Sequence, residues 1–194
     1  MKVLLLLGVL PLLAAAVGGD LVIVDRQGWA ARAPQGAKQT LTAPVKYVIL
    51  HHTSTPSCST QKKCAAQVRA IQDDHMDTSA FHDIGYNFLV GGDGLVYEGR
   101  GWDTRGAFLK GWNVKAVGIA LIGDFNHKAP SDAQLQVAQL LISQGVKLGK
   151  LSGDHLVAGA CQVGATRSPG QLTVNKIRSW PDWWSYSIKG ASCK

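Results

Sequence analysis

The sequence predicts a mixed α/β fold, in which a central β-sheet is flanked by about three helices. Two nearly continuous apolar segments, 45–50 and 117–122, are typical of buried strands. A Gly-Gly-Asp-Gly turn at 91–94 joins two further β-rich segments and indicates a hairpin. Apolar residues at helical spacing occur around these strands, so helices are expected to pack on the sheet.

The chain has the size and composition of one domain, which we place at residues 20–194. It has 194 residues, of which 46% are hydrophobic and 17% charged, so it can bury a core and is not disordered. Lys and Arg number 20 against 13 Asp and Glu, for a formal net charge of +7. Only Lys62 and Lys63 are adjacent basic residues, which excludes a nucleic-acid groove. The charge suits an anionic cell surface or envelope polymer, with solubility as the alternative.

Residues 1–19 have the pattern of a secretory signal peptide. Lys2 precedes an apolar run at 3–17, and small residues follow that run. A membrane span needs about 20 apolar residues, so this run is short for one, and an uncleaved anchor is the alternative. We expect cleavage between Ala16 and Gly19, no membrane span, and secretion into an oxidising environment.

The even number of cysteines indicates disulfide bonds in that environment. Cys58, Cys64, Cys161 and Cys193 allow three pairings. Cys58 and Cys64 are six residues apart, so a short closed loop is sterically reasonable and we expect that pair. Cys161 and Cys193 would then remain for a second bond, which would clamp the C-terminal tail. A zinc cluster of cysteines is not expected, because no CxxC pair occurs.

The first half of the domain is expected to contain a strand, a helix and the hairpin. The strand at 45–50 ends in His51-His52-Thr53. A helix follows from Thr60 to about Met76, with apolar residues on one face. The hairpin strands are then placed at 86–90 and 95–98, on either side of the glycine-rich turn.

The second half begins with a long loop, and loops of such length in a compact domain are usually functional. Ser131 is expected to cap a helix, with Gln134 completing a capping box. Gly145 or Gly149 would end that helix. In chain order we expect a loop at 99–115, a strand at 117–122, this helix, a strand at 155–159 and a helix at 172–180.

The residues by themselves indicate a binding groove more readily than an active site. His51 and His52 end a buried strand, but a catalytic zinc needs three protein ligands, and no compact spacing such as HExxH supplies them. No Ser lies in GxSxG, and either His could be structural. Trp102, Phe108 and Trp112 in the long loop favour a groove for a sugar or peptide, with core packing as the alternative.

Longer motifs resemble a known family. The segments VILHHTSTPSC, FHDIGYNFLVGGDGLVYEGRGW, AVGIALIGDF and SWPDWW are similar to those of peptidoglycan recognition proteins, most of all the short secreted members of insects. The resemblance runs from about Trp29 to Trp184. It implies the fold of phage-lysozyme-type N-acetylmuramoyl-L-alanine amidases: a central mixed sheet, three helices and an L-shaped cleft for the muramyl peptide of bacterial cell wall. It also implies a disulfide between Cys58 and Cys64.

Some members of that family are zinc amidases that cut the bond between muramic acid and L-alanine. Their zinc ligands correspond to His51, Ala160 and Ser168, and Tyr86 matches an assisting tyrosine. Ala160 has no donor atom, and a hydroxyl is a poor substitute for a thiolate on zinc. Cys161 would point to the opposite face of an extended segment. The resemblance therefore implies a degenerate metal site, no cofactor and no amidase activity.

Ligand contacts of the family can be transferred by position. Phe108 stands where many members carry a His, so that contact changes from polar to aromatic. The transferred positions are His51, Thr53, His75, Ala80, Phe81, Tyr86, Arg105, Phe108 and Asn113.

Two of these positions disagree about the third residue of the peptide stem. Ala80-Phe81 replaces a Gly-Trp pair that goes with preference for diaminopimelate. Arg105, however, occupies the place of an Arg that contacts the extra carboxylate of diaminopimelate. The balance leans slightly toward Lys-type or dual recognition.

The resemblance implies a secreted innate-immune receptor that binds bacterial peptidoglycan. Its partner would be an extracellular signalling protein or protease, as in Toll or prophenoloxidase cascades. One alternative is a zinc N-acetylmuramoyl-L-alanine amidase that degrades peptidoglycan. Another is a binding module that sequesters fragments or kills bacteria without signalling.

Overall fold

The computed structural model describes residues 20–194, and the expected signal peptide at 1–19 lies outside the described residues. The elements are β1 (Ile23–Val24), β2 (Val45–His52), α1 (Gln61–Asp77), β3 (Phe88–Val90), β4 (Val96–Glu98), β5 (Ala116–Leu121), α2 (Asp132–Lys147), β6 (Leu151–Gly159), α3 (Ala160–Val163) and α4 (Gln171–Ile177).

The strands form one mixed sheet in the order β1-β4-β3-β5-β2-β6. β3 and β4 are antiparallel, as the hairpin prediction requires, and the other neighbouring strands are parallel. The predicted α/β class with a mixed sheet is therefore confirmed. The predicted helices and inner strands are present with ends shifted by a few residues.

The described chain has four helices rather than about three, because α3 follows β6 directly. The side-chain Oε1 of Gln162 accepts a hydrogen bond from the Gly159 amide at 2.7 Å. This bond turns the chain into a helix at Ala160, so the prediction that Cys161 continues an extended segment is wrong.

The two edge strands differ from expectation. β1 has only two residues and pairs in parallel with β4, which is too short a pattern to recognise in sequence. β6 begins at Leu151 rather than near residue 155. Its residues 152–156 are half-buried or exposed, and polar side chains there obscure the pattern of a buried strand.

The capping box predicted for α2 forms only in part. The hydroxyl of Ser131 accepts a hydrogen bond from the Gln134 amide at 3.1 Å. The Gln134 side chain is buried and instead donates to the carbonyl oxygens of Val90 and Ile122. It thus ties α2 to the sheet, and the second half of the capping box is replaced by this contact. Gly149, at φ +67, follows the end of the helix.

The covering of the sheet decides where a ligand can enter. Successive residues of β2 point to opposite faces. Val48 and Leu50 pack under α2 and α4, whereas Ile49 lies on the other face. There α1 covers the part of the sheet around β3 and β4, and within residues 20–194 the rest is covered by α3, the loop at 108–112 and Trp184.

Two disulfide bonds are present in the described chain. Cys58–Cys64 joins the loop after β2 to the first turn of α1. Cys161–Cys193 joins α3 to the C-terminal tail. Among residues 20–194, no helix combines the length and apolar character needed to cross a membrane.

Candidate functional site

A cleft of about 810 Å³ opens among the loops at the edge of the sheet, near the end of β4 at Glu98. Its walls come from the loop at 34–39, the segment at 80–83 and the long loop at 98–114. The long loop therefore forms a wall of the cleft, as its length suggested. Five of the nine transferred positions line the cleft: Ala80, Phe81, Arg105, Phe108 and Asn113.

The lining of the cleft is predominantly basic. The carboxylate of Asp83, 5% exposed, is neutralised by Arg26 at 3.0 Å. An excess of positive charge in a concave surface favours an anionic ligand. The charged side chains of the lining are Arg26, Lys38, Arg100, Arg105 and Lys110 on the basic side and Asp83 and Glu98 on the acidic side.

Arg105 is held by the loop at 34–39. Its amide donates to the carbonyl oxygen of Gln39 at 2.8 Å, and its Nη1 donates to Oε1 of Gln39 at 3.2 Å. Its Nε is buried and has no hydrogen-bond partner among residues 20–194. The guanidinium is therefore positioned but only partly satisfied, which suits a further acceptor such as a carboxylate.

Asn113 shapes the cleft wall through the backbone. Its Oδ1 accepts hydrogen bonds from the amides of Phe108 and Leu109, both at 2.9 Å. These two bonds close the turn that carries Phe108. Asn113 thus organises the loop in addition to lining the cleft.

A row of rings leads from the cleft to its inner wall. Phe81 lies 5.4 Å from His75, His75 lies 5.7 Å from Tyr86, and Tyr86 lies 5.5 Å from His51, between ring centroids. Phe108 completes the row at 5.5 Å from His51. The two phenylalanines line the cleft, and the three rings between them are not part of its lining.

Burial sets the protonation of this row. It lowers the pKa of His75, whose Nδ1 accepts a hydrogen bond from the Gly85 amide at 2.9 Å. It also raises the pKa of Tyr86 to about 12. Both side chains are therefore neutral near pH 7.

His51 is the most enclosed member of the row, with 4% of its surface exposed. Burial, followed by the charge of His52, lowers the pKa of His51 from 6.5 to about 3. Its Nδ1 lies 3.5 Å from the hydroxyl of Ser168. Its Nε2 is buried and has no hydrogen-bond partner in the described part of the chain. A neutral imidazole with an unsatisfied nitrogen thus lies behind Phe108.

The neighbouring histidine is structural. Nδ1 of His52 accepts a hydrogen bond from the Phe125 amide at 3.0 Å, and its Nε2 lies 3.0 Å from the Ser54 hydroxyl. Both ring nitrogens are used to hold the loops that follow β2 and β5. The two histidines, alike in sequence, therefore differ in their surroundings.

The residues around His51 do not fit a zinc ion. Ala160 is fully buried and contributes a methyl group. The hydroxyl of Ser168 already accepts a hydrogen bond from the His52 amide at 2.8 Å. Cys161 is in a disulfide, and across residues 20–194 no group of three His, Cys, Asp or Glu side chains could hold a metal ion. Zinc would find one imidazole nitrogen and one weak oxygen donor here.

Some candidates lie apart from the cleft. Trp102 packs on Phe88 in the core, with ring centroids 4.5 Å apart, so the prediction of a groove role for Trp102 is wrong. The indole of Trp112 donates to the Val163 carbonyl at 3.1 Å, and Trp112 also lies outside the lining. The hydroxyl of Thr53 accepts from the Gly123 amide at 3.0 Å, and its role in ligand binding stays a prediction.

Sequence reasoning missed the wall at 34–39, which contributes Lys38 and Gln39. These residues lie in an irregular N-terminal segment with no motif of its own. Contacts with residues distant in sequence identify this wall: Gln39 bonds to Arg105, and the Gln35 amide donates to the His82 carbonyl at 2.7 Å. Lys110 was likewise not predicted, because a lysine in a loop is usually a solvated charge.

Comparison with known proteins agrees with this geometry. Residues 41–171 match the family of N-acetylmuramoyl-L-alanine amidases. The chain is 41% identical over 182 residues to peptidoglycan-recognition protein SC2 of Drosophila simulans. This match covers 94% of this chain and 97% of that protein.

Solved structures give the same result. The chain resembles bumblebee PGRP-SA with a TM-score of 0.84 and 44% identity, covering 86% of this chain and 99% of that one. It also resembles peptidoglycan recognition protein-LE, solved in complex with tracheal cytotoxin, a monomeric diaminopimelic acid-type peptidoglycan. That match has a TM-score of 0.82 and 37% identity, over 84% of this chain and 96% of the other. With its amidase-type fold and these relatives, the chain belongs to the peptidoglycan recognition protein family.

Proposed function

We propose that this protein binds bacterial peptidoglycan in the cleft and does not cleave it. The observation that carries the proposal is an open, basic cleft whose inner wall is closed over a neutral histidine. Arg105 suits the carboxylates of a peptide stem, and the rings of Phe81 and Phe108 suit the apolar faces of sugars and side chains.

The relatives support the choice of ligand. Protein-LE was solved with a monomeric peptidoglycan, and its fold is shared over 84% of this chain. The cleft volume of about 810 Å³ also lies within the range of about 300–1,000 Å³ that is usual for small-molecule sites. A muramyl peptide is therefore a ligand of suitable size and charge for this cleft.

The absence of hydrolysis is proposed from the donor set at His51. A zinc amidase needs three ligands and an open position for water. Ala160 contributes no donor, and the Ser168 hydroxyl is already engaged with the His52 amide. No step of a zinc-dependent mechanism can therefore be assigned to these residues.

We further propose dual recognition of Lys-type and diaminopimelate-type stems. Arg105 lines the cleft, and its guanidinium end, bonded to Gln39 through Nη1, is exposed there. This supports a contact with the extra carboxylate of diaminopimelate. Ala80 and Phe81 add apolar surface to the lining, which also suits the aliphatic side chain of lysine.

Secretion and signalling complete the proposal. Both disulfides are compatible with an oxidising extracellular environment. The protein would act as a receptor that, once loaded with peptidoglycan, engages an extracellular signalling protein or protease. Depleting it from plasma and restoring it would separate signalling from simple sequestration: loss and recovery of protease activation by peptidoglycan supports the receptor.

The primary test is co-sedimentation of the folded mature protein with insoluble Lys-type and diaminopimelate-type peptidoglycan, in the presence of zinc. The supernatant is assayed for released stem peptide. We expect binding to both polymers and no release. Failure of the folded protein to sediment with either polymer contradicts the binding proposal, and release of stem contradicts the proposal that it does not cleave.

A further inference from the structure

Phe108 has two different contacts. One side of its ring lines the cleft, and the ring also lies against His51, with centroids 5.5 Å apart and ring planes at 69°. Tyr86 also lies against His51, with centroids 5.5 Å apart, but of these two rings Phe108 is the one that lines the cleft.

The ring is seated on two glycines. A Cβ atom at Gly106 would lie 2.4 Å from Cδ1 of Phe108, and one at Gly118 would lie 2.3 Å from it. Such distances are far below van der Waals contact, so the ring rests on bare backbone that a larger residue would fill. The Phe108 amide is also fixed by Asn113 at 2.9 Å. The ring is thus held in a specific place rather than folded loosely over the site.

Apolar groups pack around Phe108. Phe108 packs against a buried cluster that includes Ala160, Ile49 and Ala158. Nε2 of His51 is closed off from solvent and has no polar partner among residues 20–194. A divalent cation with a bound water would have to displace this apolar packing, and an ion in apolar surroundings is strongly disfavoured.

We propose that Phe108 is a hydrophobic plug that excludes metal and water from His51, as a barrier separate from the missing ligands at Ala160 and Ser168. Restoring the two ligands alone would then leave a poor zinc site. The inference rests on the proposed function, since it gives a second reason why ligand is bound without being cleaved. It makes Phe108 a specificity-determining residue, which selects binding over metal-dependent chemistry.

The test measures zinc affinity by calorimetric titration, independently of any activity. The ligand pair Ala160→His and Ser168→Cys is built with Phe108 intact and again with Phe108→Ala. We expect zinc to bind at least about 30-fold more tightly in the triple variant, within the range over which residues around a metal site change affinity. Equal affinity of the two proteins, or no zinc binding by either, overturns the proposal.

Matched controls keep the result interpretable. Phe81→Ala removes a second cleft phenylalanine that contacts His75 and not His51, and in the same ligand-pair background it should leave zinc affinity within about threefold. Because the introduced thiol would lie beside the Cys161–Cys193 bond, the series is repeated with Ser168→Asp. Phe108→Leu keeps an apolar side chain where alanine impairs folding, and an intermediate zinc affinity is expected.

The two proposals fail in different experiments. If the unmodified protein releases stem peptide, the proposed function is wrong whatever the zinc titrations show. If the unmodified protein binds without release but Phe108→Ala gives no gain in zinc affinity over the ligand pair, only the plug is rejected.

Discussion

The cleft and the buried surroundings of His51 are adjacent, but the hydrogen bonding of polar groups differs between the two regions. In the cleft, charged side chains are paired or face a space that a ligand can fill, as Asp83 and Arg105 do. Around His51, burial keeps the imidazole neutral, and its Nε2 lacks a partner within the described chain. The contrast shows that the proposed binding cleft and the surroundings of His51 are built separately, because one is formed by loops and the other lies at the ends of β2 and β6.

The largest change in the free energy of unfolding is expected at Asp83, a buried residue in the lining of the cleft. Oδ1 of Asp83 accepts hydrogen bonds from Arg26, Gln72 and the Ile84 amide, at 3.0, 2.7 and 2.8 Å. Asp83→Ala leaves these donors unpaired and should lower the free energy of unfolding by about 3 kcal/mol. Chemical denaturation measures the change. The surface control Asp73→Ala should cost less than about 1 kcal/mol, and equal losses would show that the buried network has no special role.

The second prediction concerns the way in which His51 makes the stability of the protein depend on pH. The folded protein holds the pKa of His51 near 3, whereas the unfolded chain protonates it near 6.5. The stability that depends on a neutral His51 is therefore fully present above pH 6.5 and is lost as the pH falls. Between pH 7 and pH 5 this loss amounts to about 2 kcal/mol.

His51→Leu should remove that part of the pH dependence. At pH 7 it should be neutral or stabilising, because an unpaired buried nitrogen is replaced by an apolar group. Urea denaturation at both pH values compares the two proteins. His127→Asn, a change at an exposed histidine, is the control and should leave the pH dependence as it was. An unchanged pH dependence in His51→Leu would contradict the neutral, enclosed imidazole.

The third prediction addresses selectivity in the cleft. Arg105→Gln removes a charged donor and should weaken binding of diaminopimelate-type muropeptide by about tenfold, the value of one charge-assisted hydrogen bond. Binding of the Lys-type muropeptide should change by less than about threefold. Titration with both ligands measures the difference. Lys38→Gln removes the same charge from the same cleft, and it should affect both ligands alike. An equal loss on both ligands for Arg105→Gln would reject a contact with the extra carboxylate.

The smallest change in the free energy of unfolding is expected at Asn113, in the loop that carries Phe108. Asn113→Ala removes the acceptor for the Phe108 and Leu109 amides and should lower the free energy of unfolding by about 1 kcal/mol. Asn113→Asp retains an acceptor oxygen and should lie within about 0.5 kcal/mol of the unmodified protein. Thermal unfolding of the three proteins measures these differences in stability. Similar losses of stability in both variants would show that the acceptor oxygen is unimportant.

Sequence patterns predicted most of the framework because they depend on local chemistry. The apolar run of β2, the turn of the hairpin and the cap at Ser131 each have a signature within a few residues. Gln134 shows the limit of such reasoning: its local partner was expected to be the helix start, but the nearby sheet offered two buried carbonyl oxygens. A long-range contact replaced a local one.

Membership of the cleft was predictable by position and much less by arrangement. Motifs predicted ligand contacts for Phe81, Arg105 and Phe108, and all three line the cleft, while their binding role stays a prediction. The wall that contributes Gln39 has no sequence signal, because its place is set by long-range contacts with Arg105 and His82. Trp102 was misassigned for the same reason, since a tryptophan in a loop can pack inward as well as outward.

The sequence by itself determined the order of the longer strands and helices, the basic charge and the chemical identity of the groups at Ala160 and Ser168. These follow from side-chain chemistry and from periodicities that the chain carries in every conformation. Only the tertiary structure decided which of two adjacent histidines is structural and which is enclosed. Alternating strand residues face opposite sides of the sheet, so His52 meets the Phe125 amide while His51 meets Phe108, and those contacts come from segments far away in the chain.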